Sequence, residues 1–188
     1  MRPGTSRPAT HSRAMTSEPM IIYALPVSEG ILAISPMPGA GGNLPGDVAH
    51  VTEWRPAMVI TLVTEAELQA AGAGLLGTQV QDHGTRWVHL PIPDFGTPPE
   101  GMRARWPEVS AQVLRALAGG GRVLVHCRGG CGRSGMVALR LMIEAGEAPD
   151  EALARLRHLR PCAVETEAQM DWAMQAPRGA ALFLRHMD

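Results

Sequence analysis

The sequence predicts an α/β fold: one domain with a central, mostly parallel sheet flanked by helices, and an anion-binding loop between a central strand and a helix. Three observations carry this. Residues 58–63 (MVITLV) and 123–125 (VLV) are short, nearly continuous aliphatic and β-branched runs, the pattern of strands buried on both faces. Segments with apolar residues at helical spacing, such as Trp106, Val109, Val113 and Leu117, alternate with these runs. A glycine-rich stretch then joins residue 125 to a segment, 136–145, that is apolar nearly all round.

In chain order, residues 1–19 are rich in Pro, Ser, Thr and Arg without periodicity and read as a flexible tail, leaving one domain over 20–188. Residues 31–34 form a strand that runs into the loop 36–43. Asp47 is expected to cap a helix reaching Arg55 and stopped by Pro56. Strand 58–63 is followed by a helix over 65–71, and strand 86–90 enters the proline-rich loop 91–99. The helix marked by Trp106 to Leu117 ends at three glycines, 119–121. After strand 123–125 and the loop come the buried helix 136–145 and a helix opened by Asp150, with Glu151 and Arg155 expected to pair at i,i+4. Thr166 and Gln169 fit a capping box for a last helix through Gln175.

Composition narrows the function. Of 188 residues, 45% are apolar and 19% charged, enough for a core and against wholesale disorder. A net charge of −1 argues against a chain that neutralises nucleic-acid phosphates or anionic lipid. No membrane-length apolar run or secretory leader is visible, so a cytoplasmic protein is expected. All seventeen basic residues are arginine, which removes Schiff-base chemistry and lysine-dependent nucleotide loops but keeps anion binding by guanidinium forks. Cys127, Cys131 and Cys162 do not suggest a disulfide framework; the close pair 127/131 points to catalysis, redox chemistry or metal binding.

The chemistry lies in Val123-Leu-Val-His-Cys-Arg-Gly-Gly-Cys-Gly-Arg-Ser-Gly135. A buried strand ends at a cysteine, a glycine-rich loop follows, and Arg133 opens a helix. Glycines let successive N–H groups turn inward as an anion nest, and the helix N-terminus adds positive charge. That field favours the thiolate of Cys127, and Arg133 can grip phosphoryl oxygens through its fork. Ser134 can donate a hydrogen bond to the sulfur as it leaves.

His126-Cys-x2-Gly-x2-Arg-Ser134 resembles the signature of the cysteine-dependent protein tyrosine phosphatases. The resemblance implies a phosphatase fold without metal or organic cofactor, and Cys127 as nucleophile through a phosphocysteine intermediate. It implies phosphate binding by Arg133 and the loop Arg128, Gly129, Gly130, Cys131 and Gly132, with hydrolysis aided by Ser134. His126 would tune the thiolate through hydrogen bonds. Asp94, 33 positions before Cys127 in Pro91-Ile-Pro-Asp-Phe-Gly-Thr-Pro98, matches the family's general acid. Together with Arg160-Pro-Cys-Ala-Val-Glu-Thr-Glu-Ala-Gln169, these motifs resemble the dual-specificity branch, and within it the phosphatases associated with cyclin-dependent kinases; the likeness covers about residues 30–175. Gln169 matches a glutamine that orders the hydrolytic water in relatives, a role that competes with the capping box.

The expected substrate is a phosphoprotein bearing phosphotyrosine, phosphoserine or phosphothreonine. The low aromatic content, 4%, favours a shallow pocket. Lipid-phosphatase relatives carry two basic loop residues where this chain has Arg128 and Cys131, which weakens a phosphoinositide substrate. A silent phosphate-binding module is the other alternative. Cys131 is expected to be a candidate disulfide partner that shields Cys127 from overoxidation.

Overall fold

The computed structural model describes residues 18–178. Most of the expected tail, residues 1–17, and the end of the chain, 179–188, lie outside the described residues. Among the described residues five strands make one sheet in the order β1-β2-β5-β3-β4: β1 Tyr23–Val27, β2 Gly30–Ser35, β3 Met58–Thr61, β4 Arg86–His89 and β5 Arg122–His126. β1 and β2 form an antiparallel hairpin, while β2–β5, β5–β3 and β3–β4 are parallel. The sheet is therefore mixed and mostly parallel, as the α/β reading requires.

Both faces of the sheet are covered, and β5 shows why its sequence is an unbroken apolar run. Val123 and Val125 pack on one face with Trp106, Val109, Val113 and Leu117 of α4 (Glu100–Ala118) and with α5 (Gly132–Glu144). Leu124 packs on the other with Val48 and Val51 of α1 (Leu44–Trp54), Leu68 of α2 (Glu65–Ala70) and Leu76 and Val80 of α3 (Leu76–Asp82). The remaining helices, α6 (Pro149–Leu159) and α7 (Glu167–Met174), enclose α5, which has residues buried on every side. Among the described residues no helix is long and apolar enough to cross a membrane.

The structure corrects four sequence readings. Asp47 is not the cap of α1. Asn43 caps it, accepting from the Gly46 N–H, and Pro45 sits in the first turn where its missing donor costs nothing. Asp47 is buried and instead accepts from the Met20 and Gly39 N–H groups, fastening the loop after β2. Arg155 does not pair with Glu151; it binds the Glu147 carboxylate and the Pro26 carbonyl, tying α6 to the β1 edge. β1 and α3 had no expected counterpart. β1 carries Pro26, which an edge strand tolerates because one side of its backbone needs no ladder partner. Finally, Cys131 and Cys162 form a disulfide with Cα atoms 5.2 Å apart, and Cys127 is the free, buried cysteine. This overturns the reading that the cysteines form no disulfide, and it ties Cys131 to Cys162 rather than to its candidate partner Cys127.

Candidate active site

The carboxyl ends of β2, β5, β3 and β4 open on the same side of the sheet, where α/β proteins place ligands. β5 ends at His126; residues 127–131 form the loop; α5 begins at Gly132. The loop's shape follows from where its carbonyls go. The Cys127 carbonyl faces His126 Nδ1 at 3.3 Å, and that of Arg128 accepts from the Met37 N–H at 3.1 Å. Those of Gly129 and Gly130 accept from Arg160 at 3.1 and 3.2 Å. That of Cys131 accepts from the Gly135 N–H at 2.9 Å. Each planar trans peptide places the next N–H opposite its carbonyl, so the five outward carbonyls turn the N–H groups of residues 128–132 to the other side. None of the N–H groups of residues 128–131 has a protein acceptor among the described residues. Together with the α5 N-terminus they make a concave array of donors.

Glycine is required at position 130. Its φ is +71°, and a Cβ there would stand 2.7 Å from the backbone of Ser35 and Pro36, where the loop crosses β2. At Gly132 a Cβ would meet the Glu165 and Gln169 side chains at 2.9 and 3.0 Å.

Cys127 Sγ lies 3.2 Å from Ser134 Oγ, and both residues are buried. The fully buried His126 stands in a directed chain. Trp87 Nε1–H can only donate, and it donates to Thr61 Oγ1 at 2.8 Å. The Thr61 hydroxyl then has its proton for His126 Nε2 at 2.6 Å, so the ring proton sits on Nδ1, facing the Cys127 carbonyl. Burial pushes His126 down to about 4 from 6.5, against the opposing pull of the Cys127 carbonyl, and keeps the ring neutral.

Arg133 is buried in the first turn of α5, and Glu67 of α2 holds it by both oxygens, Nη1 at 2.7 Å and Nη2 at 2.9 Å. Nη1 also donates to the Ile92 carbonyl at 3.0 Å, and Nη2 lies 3.3 Å from Asp94 Oδ1. The terminal nitrogens are thus shared with the protein, and among the described residues Nε has no protein acceptor. Glu67 is itself anchored, because Thr64 caps α2 and gives its N–H to Glu67 Oε2 at 2.8 Å. The Arg133 guanidinium, with the Thr64 bonds, lowers the Glu67 carboxyl to about 2 against the cost of its burial.

Asp94, with 46% of its side chain exposed, lies in the loop after β4 and accepts from the Phe95 N–H. Phe95 has φ +60° and a largely exposed ring. Gln169 reaches this loop from α7: its Nε2 donates to the Gly96 carbonyl at 3.1 Å, while its Oε1 accepts from the N–H groups of Glu165 and Thr166. The capping box is therefore formed, and the same side chain bridges to the Asp94 loop. Arg128 extends into solvent beside a cavity of about 310 Å³ lined by Met37, Ala40, Glu67 and Ala71.

The structure thus brings Cys127, Arg133, Ser134, His126, Asp94 and Gln169 around one loop. Sequence reasoning missed Glu67, Thr61, Trp87 and Arg160. Two of these had a local signal: Glu67 in the Thr64-x-x-Glu67 capping box, and Arg160 as the first residue of a motif that carries the resemblance, though no role was read for it.

Comparison with known proteins agrees with this geometry. Residues 34–173 match the family model described as PTP-SAK, the Swiss Army Knife protein DSP-PTPase phosphatase domain. Cyclin-dependent kinase inhibitor 3 of Mus musculus is 29% identical over 148 residues, covering 78% of this chain and 69% of that protein. The same protein of Rattus norvegicus is 31% identical over 133 residues, covering 69% of this chain and 61% of its own length. The crystal structure of kinase associated phosphatase with its catalytic-site cysteine substituted by serine superposes with a TM-score of 0.74 at 25% identity, covering 83% of this chain and 93% of that one. On the fold, the loop and these matches, the chain belongs to the dual-specificity protein tyrosine phosphatase family, in its DSP-PTPase phosphatase domain.

Proposed function

We propose that the chain hydrolyses phosphate monoesters of phosphoproteins, on tyrosine and on serine or threonine, through a phosphocysteine intermediate. The observation that carries this is the outward accounting of every carbonyl from 127 to 131 around a sulfur 3.2 Å from Ser134. Such an array is built for three anionic oxygens above a nucleophile.

The Cys127 thiolate attacks phosphorus in line with the ester oxygen. The P–O bond breaks, and the leaving oxygen takes its proton from Asp94. Arg133 presents Nε–H and the Nη2 hydrogen that faces Asp94, so a phosphoryl oxygen that takes the latter releases the carboxyl for proton transfer. In the second step water attacks phosphorus and gives its proton to Asp94. The S–P bond breaks as Ser134 donates to the departing sulfur. Gln169 bonds through its Nε2 to the Gly96 carbonyl of the Asp94 loop, which supports a role in holding that loop near this line.

The test is hydrolysis of para-nitrophenyl phosphate in the presence of chelator. Turnover inhibited by vanadate and abolished by Cys127→Ser is expected. Asp94→Asn should slow phosphopeptide turnover by about 10²–10⁴ and activated aryl phosphate far less, because the latter's leaving group scarcely needs a proton. Equal losses on both substrates would remove Asp94 as the acid. Phosphate affinity without turnover would make the chain a binding module, and turnover of phosphoinositides over phosphopeptides would reassign the substrate.

A further inference from the structure

Arg160 stands outside the signature yet binds the loop through two of its carbonyls. Its Nη2 donates to the Gly129 carbonyl at 3.1 Å and its Nε to the Gly130 carbonyl at 3.2 Å. Nη2 also lies 3.6 Å from Cys131 Sγ. Behind it, Nη1 donates to the Tyr23 hydroxyl at 2.9 Å, and the guanidinium sits 4.4 Å over the Tyr23 ring. Two residues further on, Cys162 is bonded to Cys131.

We infer that Arg160 is a positioning residue that holds the phosphate loop in its anion-binding shape, anchored on Tyr23 of β1 and reinforced by the Cys131–Cys162 disulfide. The peptide planes make the argument. The Gly129 carbonyl shares a plane with the Gly130 N–H, and the Gly130 carbonyl with the Cys131 N–H. Glycines at 129 and 130 leave these planes free to flip, at little backbone cost. A planar cation that collects both carbonyls on the outer side commits both N–H groups to the inner one. The stacked ring and the hydroxyl of Tyr23 fix the cation in turn. Arg160 does not meet the substrate; it acts through the loop.

This rests on the loop being the oxyanion site, so its test reads oxyanion binding separately from turnover. Calorimetric titration with inorganic tungstate is run on the wild type, Arg160→Gln and Arg160→Lys, each first shown folded by near-ultraviolet circular dichroism. Arg160→Gln should weaken tungstate at least tenfold. Arg160→Lys, which can reach one carbonyl at a time, should recover part of that loss and stands in if the glutamine variant does not fold. A Cys162→Ser background should enlarge the Arg160→Lys effect, because the second tether is gone. Tungstate affinity unchanged in both Arg160 variants would overturn the inference, as would a wild type that binds no tungstate. A wild type that binds tungstate but turns over no phosphate ester would defeat the proposed function and leave the brace to be judged on affinity alone.

Discussion

Glu67 grips Arg133 with both carboxylate oxygens, across 66 positions of sequence, at 2.7 and 2.9 Å. The pair aims a buried guanidinium at the loop from behind. Neither partner belongs to the other's element: α2 follows β3, and α5 follows β5.

Glu67→Gln should therefore misplace Arg133. Hydrogen bonds to charged groups contribute about 1.5–3 kcal/mol, so kcat/KM should fall by roughly 10- to 150-fold. The pair also has an acid signature. The folded carboxyl titrates at about 2 against an ordinary 4.5, so its stabilisation is present above 4.5 and is lost as the pH falls towards 2. Urea unfolding from pH 5 to 2.5 should show a smaller acid loss in the variant. An identical loss would place the titrating group elsewhere.

His126 sets a second window. Its folded value is about 4 and its ordinary value 6.5, so between them the unfolded chain binds a proton that the folded chain does not. Stability should be level with respect to this group above 6.5. It should decline as pH falls from 6.5 to 4, by up to about 1.4 kcal/mol per pH unit. His126→Gln should remove that component of the slope; an unaltered slope would count against the assignment.

Thr61→Val keeps the shape of the Thr61 side chain and removes the link between Trp87 and His126. The buried Nε2 then lacks a donor, at a cost of about 1–3 kcal/mol by chemical denaturation. Thr61→Ser should lose much less. Nitrogen NMR should find His126 protonated on Nδ1 in the wild type; the Nε2 tautomer would break the proposed chain.

Gln169→Glu separates two roles of one side chain. Glutamate keeps the acceptors of the capping box but cannot donate to the Gly96 carbonyl. Melting temperature should also fall, because the buried side chain would set a carboxylate oxygen against the Gly96 carbonyl, while phosphopeptide turnover falls more than that of activated aryl phosphate. A fall equal on both substrates would point to the water-ordering role instead.

Much of this was legible before the structure. The strand-to-helix transition around Cys127, the buried runs of β3 and β5, and the Thr166/Gln169 cap are local, because each depends on periodicity, glycine freedom or a three-residue reach. Failures came where a local rule had a tertiary competitor. Asp47 looked like a cap, but its buried carboxylate accepts from the Met20 and Gly39 N–H groups instead. Arg155 had Glu151 one turn away and chose Glu147 and the Pro26 carbonyl. Cys131 was read with its neighbour Cys127, whereas folding set it against Cys162, 31 positions on.

The sequence by itself determined the α/β class, the glycine-rich loop after Cys127 and its helix, since these follow from residues within one another's covalent reach. Only the tertiary structure decided what aims them: Glu67 behind Arg133, Trp87 and Thr61 behind His126, Arg160 behind the loop carbonyls. Those partners are far apart along the chain, and a long-range hydrogen bond leaves no period or spacing in a sequence, because it depends on how the sheet orders its strands rather than on how many residues lie between.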